Sequence, residues 1–418
     1  MDFFLPRILE SRIKKAAASF PVILIVGARQ TGKTSLIQNL LGSQAKTYTF
    51  DPVQDLYQAR KDPDLFLDQI GFPVFLDEIQ FAPEILAAIK RRVDVHKKPG
   101  MYYLSGSQNF AVMRSIKESL AGRVFLEELY PLSQREIQSQ TKEESFITAW
   151  LSSEGNLDLG KFEREHPEPK ENESSILEIL WRGGFPGLIQ VDDALLPSYF
   201  QSYLQTYIER DIRSLADLHS YQDFGKFIQL LASKSAKEMN ENELGRELGI
   251  HRKTAVSWKQ LAKNSFIWIE VPAFHGNTTK RISSKKKEYL FDTGMLCNLL
   301  RLPSPMSLIG HPEYGFIFET YVFMEIYKSL RSLPLLPGIS HYRSHGGAEV
   351  DLILEYAGKF FPIEIKAKSN PDGNDAKGIH SFVTTFPQNS YASGIIFSNC
   401  KIPYKIGENV WTVPYWYI

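Results

Sequence analysis

The octapeptide Gly27-Ala28-Arg29-Gln30-Thr31-Gly32-Lys33-Thr34 has the residue types and the GxxxxGK[ST] spacing of a loop that binds a polyphosphate. Its glycines let the backbone curl until successive N–H groups face a β-phosphate, which also meets the positive end of the following helix. Lys33 would reach the β- and γ-phosphates, the Thr34 hydroxyl would ligate magnesium, and Ser35 would lead the loop into the helix. The flanks fit this reading. VILIV at 22–26 is a short apolar run suited to a buried strand, and TSLIQNLL is an amphipathic helix.

A triphosphate site also needs carboxylates at the end of a neighbouring strand, and PVFLDEIQ supplies Asp77 and Glu78 after an apolar run. Asp77 would hold magnesium through water, and Glu78 would polarise an attacking water near the γ-phosphate. Two acids after an apolar run also describe a helix cap or a solvated pair; the loop at 27–34 favours the first reading. MYYLSGSQN ends in Ser105, Ser107, Gln108 and Asn109, of which Ser107 is the expected γ-phosphate sensor. Arg123, in SLAGRVFLEELYPLS, reads either as an arginine finger towards a neighbouring copy's nucleotide, which implies a homo-oligomer, or as a surface ion-pair partner. Together these residues point to ATP hydrolysis with Mg2+. A pair suited to water attack weighs against a small-molecule kinase.

A second chemical set lies near the other end of the chain. GAEVDLILEYAGKFFPIEIKAKS places Asp351 on one strand and Glu364-Ile365-Lys366 on the next. Strand alternation puts Glu364 and Lys366 on one face with Ile365 on the other, and a hairpin would bring Asp351 beside them. Glu319, in GFIFETYVFMEIY, would add a third carboxylate, so Glu319, Asp351 and Glu364 are the candidate metal ligands, with Lys366 as the catalytic amine. Phosphodiester hydrolysis needs such a hard-cation site. A hairpin with an ordinary ion-paired Lys366 is the alternative. His311, His341 and His345 have no cysteine partners and read as surface or loop histidines.

Between the two sets, MNENELGRELGIHRKTAVSWKQLAKNSFI has the pattern of a helix-turn-helix. Asn240 would cap the first helix with Glu243 reaching back, Gly249 would end it, and Leu244, Leu248, Ile250, Val256 and Leu261 would form the core. His251, Arg252, Lys253, Ser257 and Lys259 would be exposed on the second helix. The strands IWIEVPAF and EYLF would complete a winged helix, joined by a turn whose Lys280, Arg281, Lys285, Lys286 and Lys287 form the strongest basic cluster. The basic hairpin 280–287 would bind DNA phosphates with affinity that falls with salt. A role in protein contact or spacing fits equally.

These residues imply an α/β chain. From Phe20 to about Glu136, strands alternate with helices, as in a parallel sheet covered on both faces. The expected divisions are a P-loop domain at 1–137, a charged linker or excursion at 138–175, a helical segment at 176–220, a winged-helix-like domain at 221–310 and an α/β domain at 311–418.

GARQTGKT, FLDEIQ, YLSGSQ, LAGR and EELYPLSQRE together resemble the AAA+ superfamily, and more narrowly a large prokaryotic family of ATP-binding proteins. The further marks of that family, GGFP at 183–186, YIERDI at 207–212 and FDTGML at 291–296, carry the resemblance across nearly the whole chain. It implies ATP binding and hydrolysis without supplying a physiological role. The Asp351, Glu364 and Lys366 pattern resembles the PD-(D/E)xK restriction-endonuclease-like fold, which implies a metal-dependent nuclease site or a binding scaffold derived from one.

Composition narrows the field further. The 418 residues hold 48 Lys plus Arg against 48 Asp plus Glu, so any partner attracted by charge must meet a local patch. Two cysteines, Cys297 and Cys400, are too few for a disulfide framework and fit a reducing compartment. No apolar run approaches the ~20 residues that cross a bilayer, and the amino-terminal segment lacks a signal-peptide core, so the expectation is a cytoplasmic protein without a membrane partner.

Overall fold

Every residue of the run Val22–Val26 is buried, which is what a central strand covered on both faces requires. The computed structural model describes residues 4–42, 45–50, 55–107, 120–156, 158–165, 175–207, 221–275, 285–344 and 346–418. In it, β1 (Val22–Val26), β2 (Lys46–Thr49), β3 (Val74–Asp77), β4 (Tyr102–Gly106) and β5 (Val124–Glu128) form a parallel sheet in the order β2-β3-β4-β1-β5. Alternation along β1 sends Ile23 and Ile25 into a core shared with Leu9, with Ile13 of α1 (Glu10–Ala17) and with Leu36 and Ile37 of α2 (Lys33–Leu41). Val22, Leu24 and Val26 join the opposite core with Ile85 and Ile89 of α3 (Ile85–His96). The strand β5 lies outside the expected set. It is an edge strand, only partly buried, whose apolar run is interrupted by Glu127 and Glu128.

The expected linker at 138–175 is corrected in its first half. Phe146, Ile147, Trp150 and Leu151 share one face of α4 (Phe146–Ser152) and are buried. Trp150 meets Phe361 edge-on at 5.0 Å and Phe146 meets Phe397 at 5.8 Å, so this helix belongs to the carboxy-terminal core. The charged stretch 166–174 lies outside the described residues. GGFP and FDTGML meet: Asp292 accepts from Gly184 N at 2.8 Å and caps the helix that it precedes, while Leu132 N donates to Gly184 O at 2.7 Å. A side chain at Gly183 would collide with Asp292, hence its glycine. Phe185 is ringed by Phe200 and Tyr203 of α5 (Leu196–Thr206) and by Phe291. Of YIERDI, all beyond Tyr207 lies outside the described residues.

The segment read as a helix-turn-helix contains α6 (Tyr221–Ser233), β6 (Lys237–Glu238), α7 (Glu241–Leu248), α8 (Arg252–Asn264), β7 (Trp268–Pro272) and β8 (Lys286–Leu290), with an antiparallel sheet in the order β6-β8-β7. Gly249 ends α7 with φ 67°. Three details differ. Val256 is 40% exposed, and Ala255 and Trp258 fill the core instead, Trp258 against Phe224 and Phe227. Asn240 caps through Asn242 N, and Glu243 turns to Lys234 instead of closing the box. Lys259 is buried by its ion pairs, described below.

The last part begins with α9 (Tyr314–Leu330), buried at every residue from Ile317 to Ile326. A mixed sheet follows in the order β13-β14-β12-β11-β10-β9. It comprises β9 (Gly338–Arg343), β10 (Glu349–Tyr356), β11 (Lys359–Lys366), β12 (Gly394–Ser398), β13 (Tyr404–Lys405) and β14 (Val410–Pro414), with α10 (Lys377–Thr385) between β11 and β12. Cys297 and Cys400 are buried free thiols. Among the described residues, no helix is long and apolar enough to cross a membrane.

Candidate functional site

The carboxyl ends of β1, β3 and β4 converge on the loop at 27–34. Gly27 has φ 153° and stands so close to Leu129 that an added Cβ would lie 2.2 Å from its carbonyl oxygen; Gly32, at φ 92°, opens α2. Both positions need glycine. The Lys33 ammonium donates to Gly27 O at 2.9 Å and Ala28 O at 2.7 Å, and Thr31 Oγ1 donates to Ala28 O at 2.9 Å. Arg7 braces the loop from behind, donating to Thr31 O at 2.8 Å and Tyr130 O at 2.6 Å while pairing with Glu136 at 3.0 Å. At the tip of the loop, the Tyr199 hydroxyl donates to Gln30 Oε1 at 2.5 Å and Tyr203 OH to Arg29 O at 3.4 Å. Ser35 is exposed on the first turn of α2.

Thr34 Oγ1 donates to Asp77 Oδ2 at 2.9 Å, so the two expected magnesium-side oxygens are brought together. Ser105 Oγ donates to Asp77 Oδ1, and Glu78 N donates to the same oxygen at 3.1 Å. Burial pushes the Asp77 carboxyl above its ordinary value, against the Ser105 and Thr34 hydrogen bonds. Glu78 sits in the left-handed region, φ 57°, a strained conformation for a side-chain-bearing residue. Its carboxylate accepts from Ser107 Oγ at 3.2 Å and from Gln80 Nε2, which also donates to Ser107 Oγ at 3.0 Å. Ser105, one of the residues at the strand end from which Ser107 was chosen as sensor, supports Asp77, and Gln80 and Arg7 are supports that the sequence did not single out. Gln80 stands two residues beyond Glu78, whereas nothing local marks Arg7.

Arg123 lies at the amino end of β5, where its carbonyl accepts from Val22 N, at the opposite end of the sheet from its own phosphate loop. Its guanidinium grips Asp94 at 2.6 and 3.1 Å. Gln108 and Asn109 lie outside the described residues.

The carboxy-terminal set also converges, around two ammonium groups. Lys287 is 2% exposed and places Nζ 2.7 Å from Glu319, 2.7 Å from Asp351 and 3.0 Å from Glu349. Lys366 Nζ lies 2.8 Å from Glu364 and 3.8 Å from Asp351. Burial alone would raise Asp351, yet Lys287 and Lys366 hold it well below the usual carboxylate range. Glu319 is pushed up to about 7 by burial and by Asp351, and Glu364 is raised for the same two reasons. Among the described residues, no group of three or more His, Cys, Asp or Glu side chains is placed to hold a metal ion.

The basic hairpin is corrected accordingly. Lys287 points inward, Lys286 pairs with Glu270 at 2.6 Å, Lys285 is exposed, and Lys280 and Arg281 lie outside the described residues. Lys259, expected on the open face of α8, is buried among Glu241, Glu288 and Glu270 at 2.8, 2.8 and 3.4 Å. His341 is also corrected: it is fully buried, and burial lowers it to about 4. His311 accepts from Glu313 N at 3.2 Å, and His345 lies outside the described residues.

Residues 19–138 match the AAA domain family. The AAA domain spans the loop, the Asp77-Glu78 pair and Arg123. Residues 173–306 and 314–418 match two further families, each described as a domain of unknown function. Two uncharacterised proteins, from Mycobacterium tuberculosis and Mycobacterium bovis, are each 27% identical over 362 residues, covering 86% of this chain and 74% of theirs. Among solved structures, a Walker-type ATPase of Pyrococcus abyssi aligns at 16% identity over 71% of this chain and 96% of its own, TM-score 0.40. RuvB of Thermotoga maritima aligns at 14% identity over 63% and 89%, TM-score 0.31. The AAA-domain match and the loop geometry support ATP binding and an ATPase.

Proposed function

We propose that the protein is a Mg2+-dependent ATPase whose nucleotide state controls a DNA-directed carboxy-terminal part. The observation that carries this reading is the 2.9 Å contact of Thr34 with Asp77 at the mouth of the phosphate loop, with Glu78 beside it. The Thr34 hydroxyl and the Asp77 carboxylate are hard oxygen donors that suit Mg2+, which would neutralise charge on the bound phosphates. Lys33 would exchange its loop carbonyls for phosphate oxygens, and Glu78 would orient the attacking water, itself held by Ser107 and Gln80. Arg123 would act only on a neighbouring copy's nucleotide.

For the DNA-directed part, the exposed His251, Arg252, Lys253 and Ser257 of the winged-helix-like unit remain available, with Lys285 at the hairpin. A nuclease-like site at Glu319, Asp351, Glu364 and Lys366 would need a cation where the Lys287 ammonium stands, and that favours binding over cutting. Purified protein should release phosphate from ATP with Mg2+, and Glu78→Gln should bind ATP but lose turnover by about a hundredfold or more. A wild type that hydrolyses no nucleoside triphosphate, with or without DNA, would refute the reading.

A further inference from the structure

The two faces of β8 have different destinations. Lys286 and Glu288 face β7 and α8, where Glu288 accepts from Lys259 at 2.8 Å and Lys286 donates to Glu270. Lys287 and Tyr289 face α9 and β10: the Tyr289 ring stacks on Phe323 with centroids 3.8 Å apart, and its hydroxyl donates to Glu319 at 2.9 Å. Alternation therefore drives an ammonium between a carboxylate of α9 and two of β10. It has three hydrogens to give, and Glu319, Asp351 and Glu349 each lie within 3.0 Å. The other Asp351 oxygen accepts from Ile365 N at 2.9 Å, and Lys366 occupies Glu364.

The hairpin is also fastened to this sheet beyond the cluster. Phe274 N donates to His341 O at 2.5 Å, and the Phe274 ring packs edge-on between Phe382 and Phe386, both at 5.0 Å. Lys287 therefore reaches the acids from a strand whose antiparallel partner, β7, is followed by a second anchor at Phe274.

We propose that Lys287 is the resident cation of the carboxy-terminal site, holding Glu319, Glu349 and Asp351 in place of a divalent metal ion and locking the helix-turn-helix unit to the last domain. This rests on reading that domain as one that binds and does not cut. Its charge balance involves the lysine: removing the ammonium leaves buried carboxylates that must take up another cation or protons.

The test is Mn2+ binding by the full-length protein without nucleotide, followed by electron paramagnetic resonance and by thermal melting. Wild type should show no Mn2+ site that Asp351→Asn removes. Lys287→Met should melt at lower temperature, gain a Mn2+ site and recover its melting temperature when Mn2+ is added. Lys287→Met with Asp351→Asn should lose that site and that recovery. Asp351-dependent Mn2+ binding by wild type would overturn the proposal, as would a Lys287→Met protein that neither takes up Mn2+ nor is stabilised by it. A gel shift of wild type with DNA, run in parallel, separates the two readings. Failure to bind DNA would remove the DNA-directed function and leave the role of Lys287 standing, whereas Mn2+ binding by wild type would do the reverse.

Discussion

Glu270 shows how much a single buried acid holds in place. It is reached by Lys263 and Lys286, both at 2.6 Å, and by Lys259 at 3.4 Å. Burial opposes its ionisation, but the three lysines prevail and bring the carboxyl from 4.5 down to about 2. A depressed acid stabilises the fold above its unfolded value and loses that contribution as pH falls through its folded value. Glu270→Gln should therefore cost on the order of 3 kcal/mol near neutral pH, and the difference from wild type should shrink between about pH 4.5 and pH 2. Urea denaturation across that range is the check; a pH-independent difference would place the effect in packing instead. Asp77 has the opposite sign. Its raised carboxyl takes up a proton at higher pH than an ordinary aspartate, so Mg2+-dependent ATP affinity should weaken on mild acidification.

At the scale of elements, α4 and α9 decide how the chain divides. The four apolar residues of α4 lie at helical spacing, but the surrounding charge of residues 138–175 conceals them; only the packing of Trp150 on Phe361 reveals the helix as part of the last domain. Trp150→Ala should cost about 3–5 kcal/mol in denaturant unfolding, as expected for emptying a large aromatic site in a core. A cost below about 1 kcal/mol would restore the linker reading. From Glu319 to Arg331, α9 covers roughly 18 Å between the carboxylate cluster and the AAA domain. Its far end is tied down there. Glu325 accepts from Gln134 N at 2.9 Å, Lys328 donates to Leu132 O at 3.0 Å, and Arg331 reaches Glu128 at the edge strand β5. The helix α9 therefore joins the carboxylate cluster at Glu319 to the edge strand β5 at Glu128.

Across the whole molecule, legibility follows locality. The phosphate loop could be read because Gly27, Gly32, Lys33 and Thr34 are contiguous and because each strand that brings Asp77 or Ser107 carries its own apolar run. The helices α7 and α8 and the strands β7 and β8 were legible for the same reason, being consecutive in the chain. In the carboxy-terminal cluster, Asp351, Glu364 and Lys366 were legible from a hairpin, and Glu319 from the helix before it. Lys287 was not, because its partner Asp351 lies 64 residues away and a lysine in a basic turn gives no sign of which strand face it occupies. Arg7 escaped similarly, bonding Tyr130 across 123 residues. The proposed ATPase activity depends on a triphosphate seating against the loop at 27–34, and calorimetric titration of ATP with Mg2+ into the intact chain measures this directly. Wild type should bind and Lys33→Ala should bind at least about tenfold more weakly, a loss of ~1.4 kcal/mol. Equal binding by both proteins, or binding by neither, would contradict it.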